Sequence, residues 1–293
     1  MSMDFWVDPW RSMTSVWLVV TAAFTALACG VPGTFLLLRR MSLTGDAISH
    51  SVLPGIVIGF LFSGSLDSPL LLAGAAFSGW LAVMIIEAIS HRGGVREDAA
   101  TGVVFTAMFA LGVVLLRLLA SRVDLDPDCV LFGNLETAIH GAGVGIHGLR
   151  VPGVVLSTGA AAVLAILFTV LMYHRLLASS FDATQAALAG ISPRMVQSLL
   201  LGVTAAVVVA AFQTVGAVMS LALLVLPAAS ALALSRRLPQ VLAMVALHSV
   251  ASAVAGLYLA TAADCNLGAA VVLAGAVLMV AAWLIRGIIP AVR

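Results

Sequence analysis

Long apolar runs, separated by short polar clusters, make up nearly all of this 293-residue chain. The runs fall at roughly 14–38, 47–64, 69–90, 99–119, 151–172, 195–215, 217–234, 240–260 and 267–285. Each is near the roughly 20 residues a helix needs to cross a bilayer. The pattern predicts an all-α, polytopic membrane bundle of eight or nine spans, organised as a single domain over 1–293. The sixth and seventh runs are divided only at Gly216, which fits either a tight hairpin or a broken element. Residues 129–147 are moderately apolar and read as entering the membrane partway.

Composition closes off the soluble alternative. Hydrophobic residues are 62% of the chain and charged residues 9%, against about a quarter charged in a soluble domain. There is no lysine, and no basic patch with interleaved aromatics, so nucleic-acid binding has no support. Without lysine there is no P-loop either, and the chain does not hydrolyse ATP by that route. The H-E-x-x-H and G-x-S-x-G patterns of membrane hydrolases are missing as well. The cysteines (Cys29, Cys129, Cys265) lack metal-ligand spacing, and a Cys129–Cys265 disulfide stays open. Met1 to Trp10 is acidic and aromatic where a cleavable signal needs basic residues, so the first run is expected to be retained.

Arginine sets the orientation. With the N-terminus outside, Arg39/Arg40, Arg92/Arg96, Arg175/Arg194, Arg236/Arg237 and Arg286/Arg293 all fall inside. Asp4, Asp8, Asp67, Asp124, Asp126, Asp128, Glu136 and Asp264 then face out. The expected arrangement is N-terminus out and C-terminus in.

One inside loop, about 176–194, carries helix signals of its own. Asp182 can N-cap a short helix beginning at Ala183, Gly190 stands where a C′ glycine belongs, and Pro193 forbids simple continuation. This is either an interfacial amphipathic helix or a docking element for a cytoplasmic partner.

The candidate chemistry lies in MSLTGDAISHSVLPG (Met41 to Gly55). Asp46 and His50 are four residues apart, hence on one helix face. A carboxylate with a neutral imidazole is a partial ligand set for Mn²⁺, Fe²⁺ or Zn²⁺. Asp46 could equally cap the second span, whereas an ionisable His50 one turn deeper is costly unless it faces a cavity or a partner. Pro54 and Gly55 follow, and a helix broken beside polar side chains suits a path through the membrane. Gln213 and Asp264 either line such a path or satisfy backbone groups. His248 reads as a hydrogen-bonded core histidine.

LRRMSLTGDAISHSVLPGIVIGF (Leu38 to Phe60) resembles the opening signature of permease subunits of ATP-binding-cassette importers for zinc, manganese and iron. REDAATGVVFTAMFALGVVLL (Arg96 to Leu116), LFGNL (Leu131 to Leu135) and VGAVMSLALLVLPAASALAL (Val215 to Leu234), around Pro227, fit the same family in order. DCNLGAAVVL (Asp264 to Leu273) matches its late D-x-x-x-G element, with Cys265-Asn266-Leu267 departing from the usual residues. The resemblance implies that Asp46 and His50 coordinate metal in transit. It also implies that Phe181, Asp182, Ala186, Gly190 and Ile191 form a coupling helix, with Pro54, Gln213, Pro227 and Asp264 along the path or gate. Its implied partners are a cytoplasmic ATP-binding subunit, a second permease subunit, an outer metal-binding protein and membrane lipid. No cofactor is held permanently. The resemblance further implies a location in the bacterial cytoplasmic membrane and inward transport by alternating access. The competing readings are a permease for iron-siderophore or cobalamin cargo and an ion-gradient-driven secondary metal transporter.

Overall fold

The computed structural model describes residues 10, 12–41, 44–64, 69–119, 135–141, 143–146 and 149–288. Helix α1 (Met13–Leu38) starts where Ser12 accepts from the Ser15 amide, and it runs through the middle of the core. Ala22, Ala26, Cys29, Phe35 and Leu36 on it are fully buried. It ends in a Schellman motif: the Met41 amide donates to the Leu36 carbonyl at 2.9 Å and the Arg40 amide to Leu37 at 3.1 Å. Arg40 occupies the left-handed position of that motif with φ 60°.

Helices α2 (Thr44–Ser51) and α3 (Leu53–Ser63) follow, interrupted at Val52. Then come α4 (Pro69–Gly93) and α5 (Glu97–Leu119). A single turn α6 (Leu135–Ile139) leads into an antiparallel hairpin of β1 (Gly143–Ile146) and β2 (Leu149–Pro152), with Val144 opposite Val151. The partial membrane entry expected at 129–147 is therefore, among its described residues, one helical turn and one strand of this hairpin. Cys129 lies outside the described residues, and Cys265 is exposed.

Helix α7 (Gly153–Leu171) breaks at Met172 into α8 (Tyr173–Phe181). Next are α9 (Ala183–Leu188), the long α10 (Pro193–Leu234), α11 (Leu238–Ala263) and α12 (Leu267–Ile288). At 42 residues, a straight α10 would be about 63 Å long, twice the hydrocarbon core. It breaks at Gly216, whose φ 76° and ψ 173° only glycine adopts without strain. The two apolar runs there form one broken element, and the hairpin alternative falls away.

Among the described residues, seven helices are long and apolar enough to cross a membrane, and the shorter stretches Ala47–Ser63 and Met219–Leu234 account for the other two predicted runs. Helix α10 is the hub, packing on α1, α2, α4, α7, α11 and α12. Since lipid is as apolar as leucine, close contact is what holds such helices together. A Cβ on Gly33 of α1 would strike the Leu224 carbonyl of α10, and one on Gly55 of α3 the Gly74 carbonyl of α4. Those glycines set the approach of the bundle around the α2–α3 break.

Candidate functional site

Two ends of the bundle matter. Near one of them, α2 carries Asp46 and His50 one helical turn apart. Asp46 is on the helix, while its side chain lies outside the described residues. His50 is half-buried and held by two rings of α5, which packs against α2. Its imidazole lies 5.5 Å from the Phe105 ring centroid, tilted by 34°, and meets Phe109 edge-on at 5.9 Å. Phe105 and Phe109 are themselves one turn apart, so α5 offers a two-ring wall that fixes where the imidazole can point. Both phenylalanines lie inside the Arg96–Leu116 stretch, where their four-residue spacing is the one sequence signal of a shared helix face.

The break beyond His50 has a clear chemical cause. Pro54 has no N–H to return to the carbonyl four residues earlier, which is that of His50. The helix restarts with Val52 as its N-cap and Pro54 in its first turn. Ser49 bonds back to the Gly45 carbonyl at 3.0 Å, and Ser78 of α4 donates to the Ser51 carbonyl at 2.7 Å. A Cβ on Gly45 would press on Leu221 and Leu224 of α10 at 3.0 Å, so α2 lies directly on the segment that follows the Gly216 break.

The remaining predicted path residues are dispersed. Gln213 sits one turn before Gly216 on α10, its side chain outside the described residues. Pro227 is buried where α10, α1 and α11 meet, 3.1 Å from where a Gly30 Cβ would be. Asp264 is exposed and serves as the left-handed C-cap of α11, φ 49°. His248 is buried as expected, but its Nε2 has no partner among the described residues and faces Gly275 of α12.

The helix predicted in the polar loop is present. Asp182 accepts from the Thr184 and Gln185 amides, both at 2.9 Å, and so N-caps α9 while also ending α8. The far end is a second Schellman motif, with the Ile191 amide donating to Ala186 at 2.9 Å and Gly190 at φ 78°. Ala186 is buried, whereas Phe181 is 68% and Leu188 85% exposed. The short, doubly capped α9 thus presents Leu188 outward, and Phe181 at the end of α8 is exposed as well.

The sequence pattern of the ABC 3 transport family runs through residues 12–286 of the chain. This chain belongs to that family. It is 37% identical over 284 residues to the manganese transport system membrane protein MntC of Halalkalibacterium halodurans, covering 96% of this chain and 91% of that one. It is 36% identical over 267 residues to the zinc transport system membrane protein TroD of Treponema pallidum, covering 91% and 72%. Among solved structures it is similar to a chain of PsaBC from Streptococcus pneumoniae, in complex with Fab. The TM-score there is 0.77 at 28% identity, over 97% of this chain and 95% of that one. This ABC 3 member is a multi-pass membrane protein and a permease subunit of an ABC transporter.

Proposed function

We propose that the whole chain is one permease domain of an ATP-driven importer that carries Mn²⁺, Zn²⁺ or Fe²⁺ inward past Asp46 and His50. The observation that carries this reading is His50: an ionisable side chain on a short helix, next to a proline break, steered by Phe105 and Phe109. Relatives named for manganese and for zinc support the cargo class. Aspartate and imidazole suit these ions alike. The remaining ligands come from a second permease subunit across a two-fold axis.

In this mechanism an outer metal-binding protein docks at the end that carries Trp10 and Asp264. Trp10 Nε1 donates to the Tyr258 hydroxyl at 2.7 Å, which brings the chain's beginning to that end of α11. The N-terminus is outside and the C-terminus inside, in the bacterial cytoplasmic membrane. Phe181, Asp182, Ala186, Gly190 and Ile191 form the element on which a separate cytoplasmic ATPase acts, with exposed Phe181 and Leu188 as its contact. ATP turnover in that partner shifts α9, and access to the metal alternates between the two sides. Pro54, Gln213, Pro227 and Asp264 lie along or near the path.

The test is metal uptake by Asp46→Ala and His50→Ala in the assembled transporter. Uptake of Mn²⁺ or Zn²⁺ should fall to background while the ATPase still co-purifies. Uptake at the normal rate by both variants would remove the site. Excess cobalamin or ferric siderophore should leave uptake unchanged, and competition by either would favour the larger cargo.

A further inference from the structure

Arg39 follows the last residue of α1, and its side chain reaches α8, far away in sequence. Nη2 donates to the Ser179 hydroxyl at 2.7 Å, and Nε donates to the Ser180 hydroxyl at 3.1 Å, across 140 and 141 residues of chain. Ser179 is buried and its hydroxyl donates a hydrogen bond to the Arg175 carbonyl at 2.6 Å, so its oxygen is oriented to accept from the guanidinium. Among the described residues no carboxylate pairs with Arg39, and burial lowers the pKa of the guanidinium from its usual value. A charge set between two helices and satisfied by two neutral hydroxyls makes a poor surface ion pair. It makes a good strut, because the planar guanidinium fork fixes both distance and angle.

Both ends of this strut are stiff. On one side, Ser179 and Ser180 lie within the last turns of α8, which Asp182 joins directly to α9. On the other, the Schellman motif of Arg40 and Met41 locks the end of α1, with Met41 buried, just before the chain turns into α2. Arg39 is seven residues from Asp46 and eleven from His50 along the chain. We propose that Arg39 is a positioning residue for transport: through Ser179 and Ser180 it delivers displacement of α8 and α9 to the end of α1, and hence to α2 and its metal pair. This rests on reading α9 as the element the ATPase moves.

The experiment uses the permease–ATPase complex in proteoliposomes and reads Mn²⁺ delivered per ATP hydrolysed. Arg39→Ala should lower that ratio about tenfold, the worth of a charge-assisted hydrogen bond, with ATP turnover retained. Ser179→Ala combined with Ser180→Ala should lower it equally, and adding Arg39→Ala should lower it no further, since the groups act as one unit. Arg39→Lys, able to reach one hydroxyl, should recover part of the loss. A normal ratio in Arg39→Ala, or losses that multiply when the variants are combined, overturns the proposal. If Arg39→Ala fails to assemble, the double serine variant, which leaves α1 intact, decides in the same way. Asp182→Ala and Gly190→Val in the same assay separate the two readings. If they lower the ratio while the Arg39 and serine variants do not, only the strut fails. If they too leave it unchanged, α9 is not the coupling element.

Discussion

At the scale of single residues, the two phenylalanines define how His50 can work. An imidazole lying against Phe105 with Phe109 at its edge has few rotamers, so in the proposed metal site its nitrogens would meet a cation without first being ordered. Phe105→Ala removes one wall, worth about 0.5–1.5 kcal/mol. We expect apparent metal affinity in transport assays to weaken about tenfold or less, with the maximal rate less affected; unchanged affinity would show that the rings only pack. Asp264 behaves differently. In sequence it reads either as a path residue at an outer end or as a group that satisfies the backbone, and its left-handed φ of 49° gives it a backbone task. Asp264→Gly should relieve about 1 kcal/mol of strain and raise the melting temperature in detergent. Full transport by that variant would leave capping as the residue's role, and lost transport would keep it on the path. The Asp46–His50 spacing was legible because it is local. The partner rings on α5 were not, since nothing in a string of apolar letters says which phenylalanine meets which helix.

At the scale of elements, capping chemistry was readable and breaks were readable only in part. Asp182, Gly190 and Pro193 marked α9 to within a residue because caps depend on neighbours three or four positions away. The glycine at 216 announced an interruption, but whether the chain reversed or ran on depended on what packed beside it. The β1–β2 hairpin has no distinct sequence signal, because its glycine-and-valine strand reads like a weak membrane segment. Gly216→Ala should cost about 1–3 kcal/mol, because its φ and ψ lie where a Cβ is not accommodated. Thermal unfolding of the purified variant measures this, and an unchanged melting temperature would mean that α10 straightens at no cost. Gly190 is a cleaner case, with φ 78° and open space around its Cβ position. Gly190→Ala should therefore show a conformational cost alone, about 1 kcal/mol, without steric clash.

At the scale of the whole molecule, charge distribution predicts an orientation and the fold supplies the geometry against which it is tested. Trp10, Tyr258 and Cys265 belong to one end of the bundle, and Arg39 with Ser179 and Ser180 to another part near α9. In a Cys129→Ser background, Cys265 should react with a membrane-impermeant maleimide added to intact cells with a permeable outer envelope. Labelling only after lysis would invert the topology. The contact between Arg39 and the serines has no trace in sequence beyond an arginine pair that the expected orientation places on the inner side. Long-range hydrogen bonds leave no periodicity behind them. A last consequence concerns biogenesis. Phe181 and Leu188, 68% and 85% exposed, sit outside the apolar spans on a surface that water would bathe until a partner covers it. A permease made in excess of its ATPase therefore displays a quality-control signal, and chaperones and proteases should remove the surplus. Pulse-chase half-life ought to lengthen with co-expressed ATPase, and Phe181→Ser with Leu188→Ser ought to stabilise the lone subunit. Subunit stoichiometry would then be set after translation, by the same two side chains proposed above to contact the ATPase.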